Sequence, residues 1–155
     1  MHCFAPLVRT AALTVLLDQL TKYFVVHAMN LKALGAINVL PPYVQFRMAW
    51  NEGVNFGIPL AGKWVLVGLA VAICGAIFWW MMRDRPGLPI LVSAGLVIGG
   101  AVGNVIDRLV YGAVADFLNV SCCGWRNPWS FNVADIAIFV GAFGLIVLST
   151  RTGRR

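Results

Sequence analysis

Residues 64–82 contain no charged side chain, and the run is bounded by Lys63 and Arg83. A helix needs about 20 mostly apolar residues to cross the hydrocarbon of a bilayer, so this one run commits the chain to a membrane fold. A second candidate span, 88–108, follows the turn Arg83-Asp84-Arg85-Pro86-Gly87 and stays uncharged as far as Ile106. Counting back from Arg151, the uncharged stretch reaches only Ile136. The last span must therefore extend to 131–150 and take in Asp135. The first, 7–28, includes Arg9, Asp18 and Lys22. Composition agrees: 12% of the residues are charged and 60% are hydrophobic, against about 25% charged in soluble domains. The expected fold is an all-α membrane protein with four transmembrane helices, and the 155 residues form a single domain, 1–155.

The net charge of +6 does not point to nucleic acid, because the basic residues form no aromatic-interleaved patch. They gather instead at Arg83/Arg85 and at Arg151/Arg154/Arg155, beside the apolar runs, which is the pattern that sets membrane orientation. Both termini are then cytoplasmic, and segments 29–63 and 110–130 face outward. A cleaved signal peptide is the alternative for the first span, but Asp18 and Lys22 argue against it, since the apolar core of such a peptide normally lacks charges. In the first outer segment Val44, Phe46, Met48 and Trp50 alternate with Gln45, Arg47, Ala49 and Asn51. That period of two predicts a strand, bounded by Pro41-Pro42 and by Gly53. Gly95, Gly99 and Gly103 repeat every fourth residue along the third span, a spacing that lets two helices approach closely in lipid. Asp107 continues the stripe and so should point into the bundle.

Of the six acidic residues, Asp84 reads as a solvated turn residue. Asp18, Glu52, Asp107, Asp116 and Asp135 all fall on the outward side. An ionisable group at membrane depth costs at least about 2.5–3.5 kcal/mol on insertion scales, so it tends to be functional or tightly paired. Asp18 and Lys22 stand four apart with the acid first, the favourable order for an intrahelical pair. Asp107, with Arg108 and with Asn104 one turn earlier, reads as a network orienting a helix end. Asp116 lies among apolar residues with no adjacent cation. Asp135 stands in the first turn of the last helix, where an anion is favoured by the helix dipole. The residues alone leave open whether these two act together or Asp135 is simply a helix-start anion. If they meet, two like charges cannot both ionise cheaply. One keeps a proton to bond a substrate carbonyl while the other activates water, as in aspartic proteases.

Metal ligation finds no spacing among His2, His27 and the cysteines. Cys74 reads as a small core residue. Adjacent Cys122 and Cys123 are not expected to bridge, because neighbouring side chains diverge. No metal or cofactor is called for.

Five blocks, in order, resemble the bacterial lipoprotein signal peptidases, also called signal peptidase II. They are Asp18-Gln19-Leu20-Thr21-Lys22, Asn51-Glu52-Gly53-Val54-Asn55-Phe56-Gly57, Gly103-Asn104-Val105-Ile106-Asp107-Arg108, Val114-Ala115-Asp116-Phe117 and Phe131-Asn132-Val133-Ala134-Asp135. The resemblance implies an intramembrane aspartic endopeptidase without cofactor. It would cut prolipoproteins just before a cysteine that carries diacylglycerol. It further implies a monomer in the bacterial inner membrane with its active site at the periplasmic face and a small extracytoplasmic β-cradle. By the same likeness Asp116 and Asp135 are the catalytic dyad. Asn51, Gly53, Asn104, Arg108 and Asn132 line or brace the site, and Asp18, Lys22 and Asp107 hold its geometry. Asn55 stands where the family pattern leads one to expect alanine, and residues 122–125 lengthen the second outer segment without an assignable role. Two other readings compete: a small proton-coupled transporter that uses the acids as relays, and a non-catalytic scaffold built on the glycine stripe.

Overall fold

A computed structural model of the chain describes residues 4–53 and 62–152, with the backbone alone at 151 and 152. His2, Cys3, Asn55 with the rest of 54–57, Arg154 and Arg155 lie outside the described residues, and the side chain of Arg151 is not described. The order of elements is α1 (Ala5–Lys22) running into a π-helical turn (Tyr23–Ala28), a short α2 (Leu31–Leu34), β1 (Ala36–Leu40), β2 (Val44–Asn51), α3 (Lys63–Asp84), α4 (Leu88–Tyr111), β3 (Val114–Val120) and α5 (Val133–Thr152).

The chain punctuates its helices with the residues that chemistry favours there. Pro6 and Pro89 stand in the first turns of α1 and α4, where a missing N–H costs nothing. Helix α3 stops at Arg85, whose φ of 45° is left-handed, and Pro86 cannot continue it. Helix α4 ends at Gly112 with φ 84°, the conformation glycine adopts without strain.

Three helices among the described residues are long and apolar enough to cross a membrane: Lys63–Asp84, Leu88–Tyr111 and Val133–Thr150. Helix α1 and its π-helical turn cover the expected 7–28 but are not in that class, because Arg9, Asp18 and Lys22 dilute the apolar run. Helix α3 buries only Met81, and its Trp64, Leu69, Val71 and Trp79 are open to the surroundings. Water would not tolerate such a surface, whereas lipid requires it.

Helix α4 is the central element and packs on α1, α3 and α5. A Cβ placed on Gly99 would come within 2.6 Å of the Ala11 carbonyl, and one on Gly103 within 2.7 Å of Asp18 Oδ2. The expected glycine stripe is therefore the seat of α1. On the adjoining face, a Cβ on Gly100 would come within 2.5 Å of the Ala134 carbonyl of α5.

The strand expected at 44–51 is β2. It is the middle strand of an antiparallel sheet of order β1-β2-β3, in which Gln45 pairs with both Asn38 and Asn119, and Ala49 with Asp116. The sheet's apolar side, with Ile37, Phe46 and Phe117, packs on Val25, Val26 and Leu31. Phe4 meets Phe78 at 6.3 Å between ring centroids, so the start of α1 lies beside the end of α3 near Arg83. Trp50 of β2 meets Tyr111 at the far end of α4, at 5.7 Å. The described basic turn and the sheet thus occupy opposite ends of the bundle.

One expectation is corrected. Cys122 and Cys123 are paired as a disulfide between neighbours. They sit in a tight turn in which Cys123 and Gly124 both have positive φ, at 59° and 83°, so the usual divergence of adjacent side chains does not apply.

Gly99→Ala should destabilise the protein by about 1–3 kcal/mol, because the added methyl has only backbone and Thr14 to displace. Gly68→Ala, with nothing within 4 Å of its Cβ, should leave stability unchanged or raise it by about 0.5–1 kcal/mol. Thermal unfolding of both variants in detergent checks the contrast.

Candidate active site

Three asparagines join two carboxylates where α4, α5 and the sheet meet. Asn132 precedes α5, and its side chain accepts from the Asp135 amide (2.9 Å) while Asp135 Oδ2 accepts from the Asn132 amide (3.2 Å). This is a reciprocal capping box, which satisfies two backbone donors that a helix start otherwise leaves open. The same Asn132 donates from Nδ2 to Asp116 Oδ1 at 2.6 Å. One residue therefore fixes both carboxyl groups. Asn104 of α4 donates to Asp135 Oδ1 (2.9 Å) and accepts from Asn132 (3.2 Å). Asn51 donates to Asp116 Oδ2 (3.1 Å), and its Oδ1 is held by the Gly53 amide (3.1 Å). Gly53, at φ 118°, makes that turn possible.

Asp116 is buried and, among the described residues, has no ion pair to offset its charge. Burial and, after it, the Asp135 carboxylate push its pKa up from 3.8 to about 6; the Asn51 and Asn132 amides and then Lys22 act in the opposite direction. Because folding raises this pKa, its stabilising contribution is complete below about 3.8 and is lost as pH rises through about 6.

Arg108 donates to the Asn104 carbonyl at 3.3 Å. Its Nε is buried without a partner, alone in this among the described side-chain nitrogens and oxygens. An unmet buried donor is costly, and here it lies near the carboxylates of Asp116, Asp135 and Asp107.

Beneath the site Lys22 binds Asp18 Oδ2 at 2.8 Å and Asp107 Oδ2 at 2.7 Å, and both acids are fully buried. The intrahelical pair at 18 and 22 is present, but Asp107 pairs across helices with Lys22 rather than closing a network with Arg108. Each acid also accepts a main-chain amide. Asp18 Oδ1 takes Ala134 N–H at 3.0 Å, and Asp107 Oδ2 takes Ala115 N–H at 3.0 Å. Ala134 immediately precedes Asp135, and Ala115 immediately precedes Asp116. Gln19 joins the cluster by donating to Asp107 Oδ1 (3.0 Å) and Asp18 Oδ2 (3.2 Å). The motif alone assigns Gln19 no part, although its place between the two residues of an ion pair is a signal. Glu52 is exposed and, among the described residues, takes no part.

The described residues include no cluster of histidine, cysteine, aspartate or glutamate able to hold a metal ion. The chemistry available is that of two adjacent carboxyls, one of which holds its proton well above the usual carboxylate range.

Lys22→Met would leave Asp18 and Asp107 buried without their cation. Removing one partner of such a cluster costs about 3–5 kcal/mol, and the loss should appear as a lowered thermal midpoint in detergent.

The family model for signal peptidase (SPase) II matches residues 10–151. A lipoprotein signal peptidase of Methylobacterium sp. (strain 4-46) is 44% identical, over 89% of this chain and 84% of the relative. One from Ralstonia nicotianae is 36% identical, over 99% of this chain and 89% of the relative. A solved bacterial membrane enzyme superposes with a TM-score of 0.81 at 27% identity, covering 92% of this chain and 90% of its own.

Proposed function

Because the chain belongs to the signal peptidase II family, we propose that it removes signal peptides from prolipoproteins, using Asp116 and Asp135 as its catalytic pair. The observation that carries the assignment of residues is Asn132, whose side-chain amide donates to the Asp116 carboxyl and whose main-chain amide donates to that of Asp135. Asp116, pushed up to about 6, keeps the proton and donates it to the scissile carbonyl. Asp135, at a helix start where negative charge is favoured, takes a proton from the attacking water. Substrate that displaces water from the site disfavours ionisation of Asp116 further. The open Nε of Arg108 is available to a substrate carbonyl, and Asn51 and Asn104 orient the two acids.

Cleavage falls just before the lipidated cysteine, at the periplasmic face of the bacterial inner membrane, with both termini cytoplasmic and the protein a monomer. Arg83 and Arg85 lying at the end of the bundle remote from the sheet supports that orientation. Helix α1 crosses the bilayer as a fourth span. Its Val8, Leu13, Leu16, Leu17 and Leu20 are exposed, while Asp18 and Lys22 are paired internally. The 24 residues from Ala5 to Ala28 amount to about 36 Å of helix, enough for the hydrocarbon. The buried charges sit together near the sheet, whereas a proton relay across the membrane needs them at several depths.

Asp116→Asn and Asp135→Asn should each abolish cleavage of a diacylglyceryl-modified precursor while the protein remains folded in the membrane. Normal processing by both variants would sink the assignment. The protonated Asp116 is the active form, so kcat/KM should fall as pH rises through about 6. Asn51→Ala removes a donor that favours the ionised form, so the midpoint of that fall should move to higher pH; a pH–rate profile of the two enzymes decides.

A further inference from the structure

Residues 121–127, which lengthen the second outer segment, form one wall of a second feature. A groove of about 690 Å³ lies between the sheet and residues 121–127, with Asn38, Gln45 and Arg47 on one side and Ser121, Arg126 and Asn127 on the other. Its charged residues are Arg47 and Arg126, and no carboxylate lines it. Neither arginine makes an ion pair among the described residues.

The groove is built rather than incidental. Asn119 is 4% exposed and donates from Nδ2 to the carbonyls of Asn127 (2.9 Å) and Trp129 (2.8 Å). Ser121 Oγ donates to Asn119 Oδ1 (3.2 Å) and accepts from the Asn127 amide (3.1 Å). The main chains of Cys122 and Trp125 bond each other in both directions, at 3.3 and 2.9 Å. A wall held this way spends little ordering entropy when a ligand arrives. Across the sheet Asn38, Gln45 and Asn119 stand in one row, with Gln45 donating to Asn38 at 2.9 Å. The neighbouring row, Ile37 and Phe46 with Leu118, packs on the apolar cluster against the helices. The groove therefore opens on the side away from the helices, towards water.

Strand β2 connects the groove to the two acids: it carries Arg47 in the groove and ends at Asn51, which bonds Asp116. Four residues of strand span about 13 Å. A precursor has an apolar signal portion suited to lipid and a released portion that continues into water, and a water-facing groove fits only the second. We propose that this groove receives the released portion of the precursor, beginning about four residues beyond the cleaved bond, and favours acidic side chains there. This rests on the peptidase reading above. Two cations facing a polypeptide select by complementary charge, and because they are exposed the preference is modest and sensitive to salt.

The test uses the full-length enzyme in detergent and two diacylglyceryl-modified precursor peptides. The peptides are identical except for aspartate and glutamate, or lysine, at the fourth to eighth positions after the lipidated cysteine. The acidic peptide should have a KM about three- to tenfold lower at low salt, given two exposed charge pairs. That gap should close in about 1 M salt, where the screening length is near 3 Å. In the Arg47→Ala/Arg126→Ala double variant the gap should vanish, through a raised KM for the acidic peptide and with kcat unchanged. Equal KM values in the parent enzyme, or a gap that survives in the double variant, would overturn the proposal. A double variant that discriminates as before but loses affinity for anionic vesicles would assign the groove to lipid headgroups and also overturn it. Failure to cleave either peptide would sink the peptidase reading and this proposal with it, whereas equal cleavage of both sinks this proposal alone.

Discussion

Lys22 donates to Asp18 and to Asp107 inside the bundle, and the two acids use their remaining acceptor capacity on the amides that lead into the site. A single ammonium group therefore ties three segments together: the end of α1, the entry to β3 and the first turn of α5. A buried charge cluster of this kind is a poor source of net stability, since desolvation offsets much of the attraction. What it does provide is registration. Asp18 is made on one helix and Asp107 on another, yet both are referred to one nitrogen, so the backbone ahead of Asp116 and that ahead of Asp135 share a common origin. In hydrocarbon, where no water can substitute for a lost partner, such a network is satisfied as a whole or fails as a whole.

The glycines of α4 make that arrangement possible. Gly103 leaves room for the Asp18 carboxylate itself, and Gly100 lets the main chain of α5 come against α4. Close packing of backbones is the chief attraction available between helices in lipid, and here it also sets how far apart the two acids stand. Packing and chemistry are served by the same missing side chains.

Much of this was legible in the residues. The uncharged run at 64–82 required a membrane helix, alternation at 44–51 gave β2, and the order of Asp18 and Lys22 gave their pair. Strand β3 was hidden because it is buried on both faces, and a strand with no exposed side shows no alternation. The pairing of Asp107 with Lys22 depends on the relative rotation of two helices, which a single sequence does not encode, although the glycine stripe pointed Asp107 inward. Asn132 with Asp135 carries the spacing of a capping box, and capping or dipole stabilisation is the reading that the residues alone give Asp135. That Asn132 also reaches Asp116 depends on β3 lying where it does. The disulfide between Cys122 and Cys123 depends on two consecutive left-handed residues, of which only Gly124 announces itself.

Helix α3 stands apart from this economy of shared partners, since its principal neighbour is α4 and it buries only Met81. Bilayers differ in thickness, and a span too long or too short for its host accommodates by tilting. A wall seated chiefly on α4, and meeting α1 where Phe78 lies beside Phe4, can lean with little disturbance of the rest of the bundle. A tilt of α3 answers a change of membrane depth on the lipid side, whereas the bonds that hold Asp116 and Asp135 run through α4, β3 and the start of α5.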